Sequence, residues 1–339
     1  MASKLKIGII GAGRIGKVHA ENIARFIPQA ELAGIADINL TVEQEAWIKN
    51  LGAGIVTKDP GDLLKDSNIK AIAICSSTDT HTDLIVAAAE AGKHVFCEKP
   101  IDLTIARAKI ALEAVKKAGV KLQIGFNRRF DHNFARVREH TLSDGVGRVQ
   151  LIKITSRDPA PPPLAYVAVS GGIFLDMMIH DFDMARFQAG SEITEVFTSG
   201  AVLVDPEIGK AGDVDTAIVT LKFANGVIGV IDNSRKAVYG YDQRLEVFGS
   251  KGAAIAENDV PNTVKLYNET GVSGEKPLYF FLERYREAYI NETTAFIDAV
   301  QNNKPVPVSG EDGLADMYAA VAAGKSLKEG RPVKIAEVM

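Results

Sequence analysis

The stretch "KIGIIGAGRIG" (residues 6–16) decides the fold of this chain. A short apolar run leads directly into the glycine pattern Gly11-x-Gly13-x-x-Gly16, and a helical pattern follows over roughly residues 14–27. In such a strand–turn–helix unit the first glycine allows a tight turn, the second admits a pyrophosphate, and the third lets helix and strand pack closely. The helix N-terminus adds amide donors and positive potential. This context predicts a dinucleotide-binding turn rather than a glycine-rich loop without a ligand.

An acidic residue closes the second apolar run, "LAGIAD" (residues 32–37). Asp37 lies about 20 residues beyond the glycines, where a carboxylate can accept hydrogen bonds from the hydroxyls of an adenosine ribose. The same carboxylate would repel a 2′-phosphate, and no arginine follows in "DINLTVEQ" (residues 37–44). Asp37 therefore favours NAD over NADP, and its alternative role is that of a polar turn residue at a strand end.

Short apolar strands and helical patterns alternate over the first 125 residues. Such alternation is typical of a parallel sheet with helices on both faces, so the sequence predicts an α/β class with an N-terminal Rossmann domain over residues 1–125. The further strand candidates are "AIAIC" (71–75), "HVFC" (94–97) and "KLQIGF" (121–126), and the further helix candidates cover roughly 41–51, 80–91 and 103–118.

The pattern changes after about residue 145, where β-rich runs dominate. Asn225-Gly226 joins two of them and is a strong hairpin signal, and "RLEVFGSKGAAIAE" (residues 244–257) suggests a second hairpin. A helix over 171–189 lies among these runs, and two more helical patterns cover 279–302 and 311–328. We expect a C-terminal α+β domain over 126–339 with an open, mostly antiparallel sheet, whose C-terminal segment is a candidate to pack back on the first domain.

Composition narrows the classes of partner. The 339 residues are 46% hydrophobic and 24% charged, with a net charge of −4 and a pI near 5.9, which argues against nucleic-acid and membrane-surface partners. The two cysteines, Cys75 and Cys97, form neither a disulfide framework nor a metal-ligand spacing. We therefore expect a reducing, cytoplasmic location and no bound metal.

Polar residues follow the strand "AIAIC" in the segment "CSSTDTH" (residues 75–81). Small hydroxyl side chains at this place can line a cofactor, and His81 opens the next helix. The alternative is that a serine or threonine here only caps that helix. The candidate cofactor residues of this segment are Ser76, Ser77, Thr78 and His81.

The apolar stretch "SGGIFLDMMIHDFDMARF" (residues 170–187) carries charged groups that a packed helix normally keeps out of its buried face. Asp176 and His180 are four residues apart, so on a helix they share one face. They are candidates for chemistry on a substrate. The alternative is that Asp176 complements the helix dipole and His180 fills a niche in the core.

Two further motifs make the sequence similar to a known family. "CEKP" (residues 97–100) ends a strand behind the glycine turn, and G-G-x-x-x-D-x-x-x-H begins at Gly171. The chain resembles the Gfo/Idh/MocA oxidoreductases in both motifs and over its whole length. Within that family, "GFNRRFD" (125–131), "ITSRDPAPPP" (154–163) and "KAVYGYDQRLEVFGSKG" (236–252) are most similar to the inositol dehydrogenases.

The resemblance implies NAD-linked oxidation of one ring hydroxyl of an inositol, in a homotetramer whose open sheet serves substrate binding and oligomer contacts. It implies the conversion of myo-inositol to 2-keto-inositol, with scyllo-inositol as a further substrate, and a role in inositol catabolism. It also implies a cis Lys99–Pro100 bond. At position 158 some inositol dehydrogenases carry asparagine, so Asp158 leaves the preferred inositol isomer open.

The resemblance also implies roles for individual residues. The catalytic set is Lys99, Asp176 and His180. The cofactor set is Gly11, Gly13, Arg14, Ile15, Gly16, Asp37, Ser76, Ser77, Thr78, His81, Glu98 and Lys99. The substrate set is Lys99, Arg128, Asp158, Asp176, His180, Asp183 and Tyr241.

The chemistry suits these residue types. Oxidation of a secondary alcohol removes a hydride from carbon and a proton from oxygen, and a histidine is the natural proton acceptor near neutral pH. Asp176 would orient that histidine, and the Lys99 cation would polarise the oxygen as negative charge develops on it. Three alternatives remain: a dehydrogenase of another polyol or a pyranose, an NAD-dependent glycoside hydrolase, and a non-catalytic dinucleotide sensor.

Overall fold

The computed structural model describes residues 4–339, which form two compact units. The first unit runs up to Phe130 and also includes Glu287–Ala315. The second unit comprises Asp131–Arg286 and Asp316–Met339. The chain thus passes from one unit to the other three times.

The first unit is built on a six-stranded parallel sheet, as the alternation of strands and helices predicts. The sheet order is β3-β2-β1-β4-β5-β6, so the direction of strand addition reverses between β1 and β4, and ligands of such sheets bind outside the carboxyl ends of the strands at this point. The strands are β1 (Leu5–Ile10), β2 (Ala30–Ala36), β3 (Ile55–Thr57), β4 (Ala71–Ile74), β5 (His94–Glu98) and β6 (Leu122–Gly125).

Helices connect these strands, and local signals fix where several of them begin and end. Thr41 and Gln44 form a reciprocal capping box at the start of the second helix, and Gly119 ends the fifth helix with a positive φ of 67°. Apolar side chains of the sheet, such as Ile7, Ile35 and Phe96, are fully buried in the core of this unit. The helices are α1 (Arg14–Arg25), α2 (Val42–Asn50), α3 (Pro60–Lys65), α4 (His81–Glu90) and α5 (Ile105–Ala118).

The second unit contains a seven-stranded, mostly antiparallel sheet, as predicted, in the order β12-β11-β7-β10-β9-β8-β15. The two predicted hairpins are confirmed, and Gly226 supplies the positive φ of 86° that the first one needs. The strands are β7 (Val149–Arg157), β8 (Ile193–Ala201), β9 (Thr216–Phe223), β10 (Ile228–Ser234), β11 (Asp242–Gly249), β12 (Gly252–Ala256) and β15 (Val333–Lys334), and β13 (Lys265–Asn268) pairs with β14 (Gly271–Gly274) in a separate exposed hairpin.

One strand pair in this sheet is parallel. β7 and β10 run in the same direction, with Ser234 opposite Arg157. The hairpin signal at residues 225–226 pairs β10 with β9 but carries no information on the strand at its other edge. Because the two strands are parallel, the carboxyl ends of β7 and β10 lie next to each other at the same end of the sheet.

Helices form in the three stretches predicted for this half of the chain, although the stretch 279–302 is divided into two helices. Three further helices were not predicted: His132–Leu142, Leu164–Val167 and Pro206–Lys210. The expected single helix over 171–189 differs: it opens with a π-helical turn, Ile173–Met177, in which the Met178 N–H donates to the Ile173 carbonyl at 2.8 Å. No helix in residues 4–339 is both long and apolar enough to cross a membrane. The helices are α6 (His132–Leu142), α7 (Leu164–Val167), α8 (Ile179–Ala189), α9 (Pro206–Lys210), α10 (Phe281–Arg284), α11 (Arg286–Gln301) and α12 (Gly310–Glu329).

Candidate active site

The glycine turn lies between β1 and α1 and has the geometry of a dinucleotide cradle. Gly11 has a φ of 104°, and a Cβ atom there would lie 2.6 Å from the Cys75 backbone. A Cβ atom on Gly16 would lie 2.0 Å from the Gly11 carbonyl oxygen, so both positions require glycine for the turn itself. Gly13 is different, because nothing lies within 4 Å of the position its Cβ would take. The open space at Gly13, at the N-terminus of α1, fits the passage of a pyrophosphate. Arg14 and Ile15 form the first turn of α1.

Asp37 follows β2 directly and braces this turn. Its Oδ2 accepts a hydrogen bond from the Ala12 N–H at 2.6 Å, and its Oδ1 accepts one from the Asn39 N–H at 2.8 Å. A carboxylate has about four acceptor sites, so these two bonds leave capacity for ribose hydroxyls. Asp37 can therefore serve both predicted roles, as a turn residue that binds backbone N–H groups and as an acceptor for ribose hydroxyls.

The segment after β4 is also arranged around backbone contacts. Ser76 Oγ and Thr80 Oγ1 lie 2.7 Å apart, and Thr78 begins a 3₁₀ turn, Thr78–Thr80, after the exposed Ser77. His81 is fully buried, with Nδ1 2.8 Å from the Pro100 carbonyl oxygen and Nε2 3.2 Å from that of Ser76. Burial lowers the pKa of His81, although these two carbonyls oppose the shift. His81 thus braces the loop after β5 against the loop after β4, and Ser76, Ser77 and Thr78 stay the candidates for direct cofactor contact.

The E-K-P motif lies at the end of β5, and the Lys99–Pro100 bond is cis. The Lys99 side chain is half-buried. Glu98 points into the core, where its Oε1 lies 2.6 Å from Nε2 of the buried His19, and Glu292 lies beside this pair. Cofactor contact by Glu98 stays a prediction, and the contacts of its side chain in this unit are with core groups.

Two groups of acidic and histidine side chains have their ligand atoms within 4.8 Å of one another. In the first, the 2.6 Å contact between His19 and Glu98 is a hydrogen-bond distance. In the second, Asp131, His132 and Asp259, the carboxylates of Asp131 and Asp259 are bound by Arg284, which lies 3.0 Å from Asp259. The first group therefore contains a hydrogen bond between His19 and Glu98, and the guanidinium of Arg284 pairs with both carboxylates of the second group.

Asp176 lies in the π-helical turn of the second unit and is held by two donors. The Tyr166 O–H donates to Oδ1 at 2.8 Å, and Nη1 of Arg235 donates to Oδ2 at 3.0 Å. The same Nη1 lies 3.7 Å from Oδ2 of Asp158, the residue after β7. The second unit thus brings together two predicted site residues, Asp158 and Asp176, around Arg235, which no motif in the sequence marks.

The remaining predicted residues differ in exposure. His180 is the second residue of α8 and is half-buried, whereas Asp183, one turn later, is fully buried. Tyr241 is buried, with its ring 5.9 Å from that of Tyr285 in an edge-to-face arrangement. Arg128 lies in the first unit, buried in a 3₁₀ turn after β6.

Tyr166 and Arg235 were missed because no local pattern marks them. Tyr166 lies in the short helix α7 after the proline-rich segment, and Arg235 follows β10 directly. Arg235 could have been identified only from knowledge that β7 and β10 pair in parallel, because this pairing places Arg235 next to Asp158. That pairing joins segments almost 80 residues apart and is not visible in the periodicity of either strand.

Comparisons with known proteins cover both units. The sequence model of an oxidoreductase family with an NAD-binding Rossmann fold matches residues 5–126, and that of the GFO/IDH/MocA C-terminal domain matches residues 134–255. The chain is 54% identical to the myo-inositol 2-dehydrogenase of Thermotoga maritima over 99% of this chain and 100% of that protein. It is 47% identical to the inositol 2-dehydrogenase of Rhizobium meliloti over 98% of this chain and 99% of that protein.

Solved structures give the same picture for the fold. The crystal structure of scyllo-inositol dehydrogenase from Lactobacillus casei, with bound cofactor NAD(H) and scyllo-inositol, superposes with a TM-score of 0.90 at 33% identity. The superposition covers 98% of this chain and 100% of the scyllo-inositol dehydrogenase chain.

Proposed function

Because the chain belongs to the Gfo/Idh/MocA oxidoreductase family, we propose that it oxidises a secondary ring hydroxyl of an inositol with NAD. The proposed reaction converts myo-inositol to 2-keto-inositol, with scyllo-inositol as a further substrate. The observation that carries this proposal is the 54% identity, over the whole length of both chains, to a protein named myo-inositol 2-dehydrogenase. The glycine turn, the E-K-P motif and the D-x-x-x-H motif are all present in this chain.

The first unit supplies the cofactor side of the proposal. The open space at Gly13 and the N-terminus of α1 would take the pyrophosphate, and Asp37 would accept hydrogen bonds from the adenosine ribose. The negative charge of Asp37 disfavours a 2′-phosphate, so we expect NAD to be used in preference to NADP. The bound NAD supplies the hydride acceptor of the reaction.

His180 is proposed to accept the proton of the reacting hydroxyl. A half-buried imidazole can accept a proton near neutral pH, and no other kind of side chain titrates there without a perturbed environment. Lys99 is assigned to the reacting oxygen, where its ammonium group stabilises developing negative charge. Asp176, held by Tyr166 and Arg235, supplies a fixed carboxylate in the turn before His180. Arg128, Asp158, Asp183 and Tyr241 are proposed to bind the other hydroxyls of the ring.

Replacement of His180 tests the chemical assignment. His180→Ala should lower turnover by about 100- to 10,000-fold, the usual contribution of a general base, while NAD affinity stays near that of the wild type. Lys99→Met should cost at least as much as His180→Ala, and Asp176→Asn should cost less if Asp176 only orients the histidine. The measurements are single-turnover NADH formation and NAD titration for each variant.

His132→Ala is the matched control, because His132 is 54% exposed on α6 and lies outside the proposed site. It should keep wild-type turnover. A His180→Ala enzyme with near wild-type turnover at saturating substrate and neutral pH would refute the base assignment. Equal losses of NAD affinity and rate would instead assign these residues to the fold or to cofactor binding.

A substrate panel tests the proposed substrate against another polyol or a pyranose. Myo-, scyllo- and D-chiro-inositol, glucose and xylose would each be assayed with NAD and with NADP. NADH formation should be fastest with myo-inositol and NAD. Faster oxidation of glucose or xylose than of any inositol would replace the proposal with a sugar dehydrogenase, and similar rates with both cofactors would remove the role given to Asp37.

The proposal of a homotetramer is supported by exposed apolar side chains on the sheet of the second unit. Apolar side chains on neighbouring strands stand opposite one another and are exposed, for example Phe248 and Ile228 on either side of Leu151. Directly opposed residues point to the same face of a sheet, so these side chains form a continuous strip. We propose that this strip is buried between subunits.

A further inference from the structure

Arg235 places a positive charge inside the second unit. Its side chain is only 2% exposed, and it follows β10, where its N–H donates to the Asp215 carbonyl at 2.8 Å. A guanidinium group remains protonated in proteins, so its burial costs free energy unless anions and hydrogen-bond acceptors compensate it. The groups around Arg235 therefore indicate why an arginine stands there.

The guanidinium directs one nitrogen to two carboxylates. Nη1 lies 3.0 Å from Oδ2 of Asp176 and 3.7 Å from Oδ2 of Asp158. In residues 4–339, Nε and Nη2 of Arg235 are buried without a hydrogen-bond partner. A buried charge whose donors are only partly used is a weak source of stability, because desolvation offsets much of the attraction. Its contacts with two proposed site residues suggest that it serves the site.

The strand pairing explains why the three groups meet. β7 and β10 are parallel, so the residues that follow them, Asp158 and Arg235, leave the sheet at the same edge. The backbone locks this edge, since the Asp158 N–H donates to the Ser234 carbonyl at 2.9 Å and the Ala237 N–H donates to the Asp158 carbonyl at 2.6 Å. Asp176 reaches the same place from the π-helical turn.

The carboxylate of Asp176 is fixed on both sides as a result. Tyr166 donates to one oxygen and Arg235 to the other, so rotation of the carboxylate would break one of the two bonds. Asp158 shares the same guanidinium nitrogen, and a change in either carboxylate therefore alters the charge balance at the other. Double substitutions can measure such coupling between neighbouring groups.

We propose that Arg235 is a positioning residue that also determines specificity, because it fixes Asp176 for turnover and couples it to Asp158, which contacts the polyol ring. This inference rests on the proposed inositol dehydrogenase function and adds a residue to it. Turnover and the ranking of inositol isomers should both depend on this one guanidinium group.

The test compares Arg235→Gln and Arg235→Lys with the wild type. For Arg235→Gln we expect kcat with myo-inositol to fall by about 10- to 100-fold, the range for loss of a hydrogen bond to a charged group, with an unchanged Kd for NAD. Arg235→Lys should recover part of this loss, because an ammonium group keeps the charge but not the planar fork. The ratio of kcat/KM for myo- and scyllo-inositol should change in both variants.

Arg157→Lys is the matched control, since Arg157 precedes Asp158 and pairs with Asp232 across the same strand ends. It should keep the wild-type kcat and ranking. A purely structural Arg235 would lower Tm and leave kcat and the isomer ratio of the folded enzyme unchanged, and this result would overturn the inference.

A double-substitution cycle keeps the inference testable if Arg235→Gln does not fold. Asp158→Asn would be made in the wild type and in Arg235→Lys, and its effect on the isomer ratio would be compared. Coupling predicts different effects in the two backgrounds, whereas equal effects would contradict it. Absence of inositol oxidation by the wild type would refute the proposed function itself, and the two failures are thus distinguishable.

Discussion

Glu292 places a carboxyl group in the core of the first unit. In residues 4–339, both of its carboxyl oxygens are buried without a hydrogen-bond partner. Burial raises the pKa of Glu292 well above its usual value, and the negative charge of Glu98 raises it further. The folded protein therefore favours the neutral form of Glu292 to higher pH than the unfolded chain does, beside the hydrogen-bonded pair of His19 and Glu98.

Glu292→Gln should stabilise the protein at alkaline pH. The unfolded chain releases the Glu292 proton near pH 4.5, whereas the folded chain holds it to higher pH, so the folded state binds more protons and its stability falls as pH rises above 4.5. Glutamine is neutral at every pH and avoids this loss. We expect Tm at pH 8 to rise by roughly 2 °C or more, which corresponds to about 1 kcal/mol for a unit of this size, with a smaller rise at pH 5.

Thermal unfolding at several pH values measures this effect. Glu287→Gln, an exposed substitution on the same helix, serves as the control and should leave the pH dependence of Tm unchanged. A lower Tm for Glu292→Gln at pH 8 would mean that an ionised Glu292 stabilises the fold.

Residues whose roles depend on adjacent residues of the same strand–turn–helix unit could be predicted from the sequence. Gly11 and Gly16 contact backbone atoms of their own turn or of the adjacent strand end, so the steric need is visible in the strand–turn–helix pattern. Arg235 depends on β7, α7 and the π-helical turn, three segments remote in sequence. Its burial among carboxylates follows from the completed sheet and from no feature of the sequence around it.

At the scale of elements, the π-helical turn sets the position of Asp176. Its entry is unusual, because Gly171 and Gly172 both have positive φ angles, 87° and 76°, and a Cβ atom on Gly172 would lie 2.9 Å from Oδ1 of Asp213. The Ile173 N–H donates to the Asp213 carboxylate, at 3.1 Å to Oδ1 and 3.0 Å to Oδ2. Asp213 therefore caps this turn from a distant loop.

Removal of that cap should reduce both stability and turnover. Asp213→Ala leaves the Ile173 N–H without its carboxylate acceptor, which we expect to cost about 1 kcal/mol of unfolding free energy, as for other helix caps. Because the turn carries Asp176, kcat should fall several-fold while NAD affinity is retained. Denaturant unfolding and steady-state kinetics measure the two effects.

Asp205→Ala provides the comparison for this experiment. Asp205 caps the nearby helix α9 by accepting the Glu207 N–H at 3.0 Å, and α9 carries no proposed site residue. The two variants should lose similar stability, and only Asp213→Ala should lose turnover. Equal turnover in both would show that the Asp213 cap does not act on the site.

The extent of this helical segment could be predicted, but its π-helical opening could not. Apolar residues at helical spacing mark residues 171–189 as a helix, and of these Phe174, Met178 and Phe182 are buried whereas Phe187 is half-buried. The i→i+5 bond from Met178 to Ile173 depends on the cap from Asp213, which is 40 residues away from Ile173. The sequence pattern of residues 171–189 therefore gives no information about this i→i+5 bond.

At the scale of the whole molecule, the exposed strip on the sheet of the second unit supports the proposed assembly. Ile228 is 54% exposed and stands opposite Leu151 on one side and Lys222 on the other. A second row across the strands includes the exposed Phe197, the polar Thr220 and the half-buried Val230. Large exposed apolar strips usually mark protein–protein contacts.

Ile228→Glu should dissociate the assembly and leave the isolated subunit folded. In a single subunit the new carboxylate can pair with Lys222 in water. In an interface it would be buried, at a cost on the order of 2–5 kcal/mol for an unpaired charge. Light scattering after size exclusion should show a smaller species than for the wild type.

Ile110→Glu on α5 is the control, because Ile110 is similarly exposed, at 56%, but lies on a helix of the first unit. It should leave the molar mass unchanged. A wild type that is already monomeric, or an Ile228→Glu variant with the wild-type mass, would contradict the proposed use of this strip.

The three chain crossings between the units affect the order in which the protein can be completed during synthesis. Phe296 and Ile297 belong to the apolar core of the first unit, although its sheet is encoded by the first 125 residues. A nascent chain that has reached Phe130 therefore holds every strand of that sheet and still lacks part of its core. The nucleotide-binding half begins to leave the ribosome before the second unit, and it becomes complete only after most of the second unit has been translated.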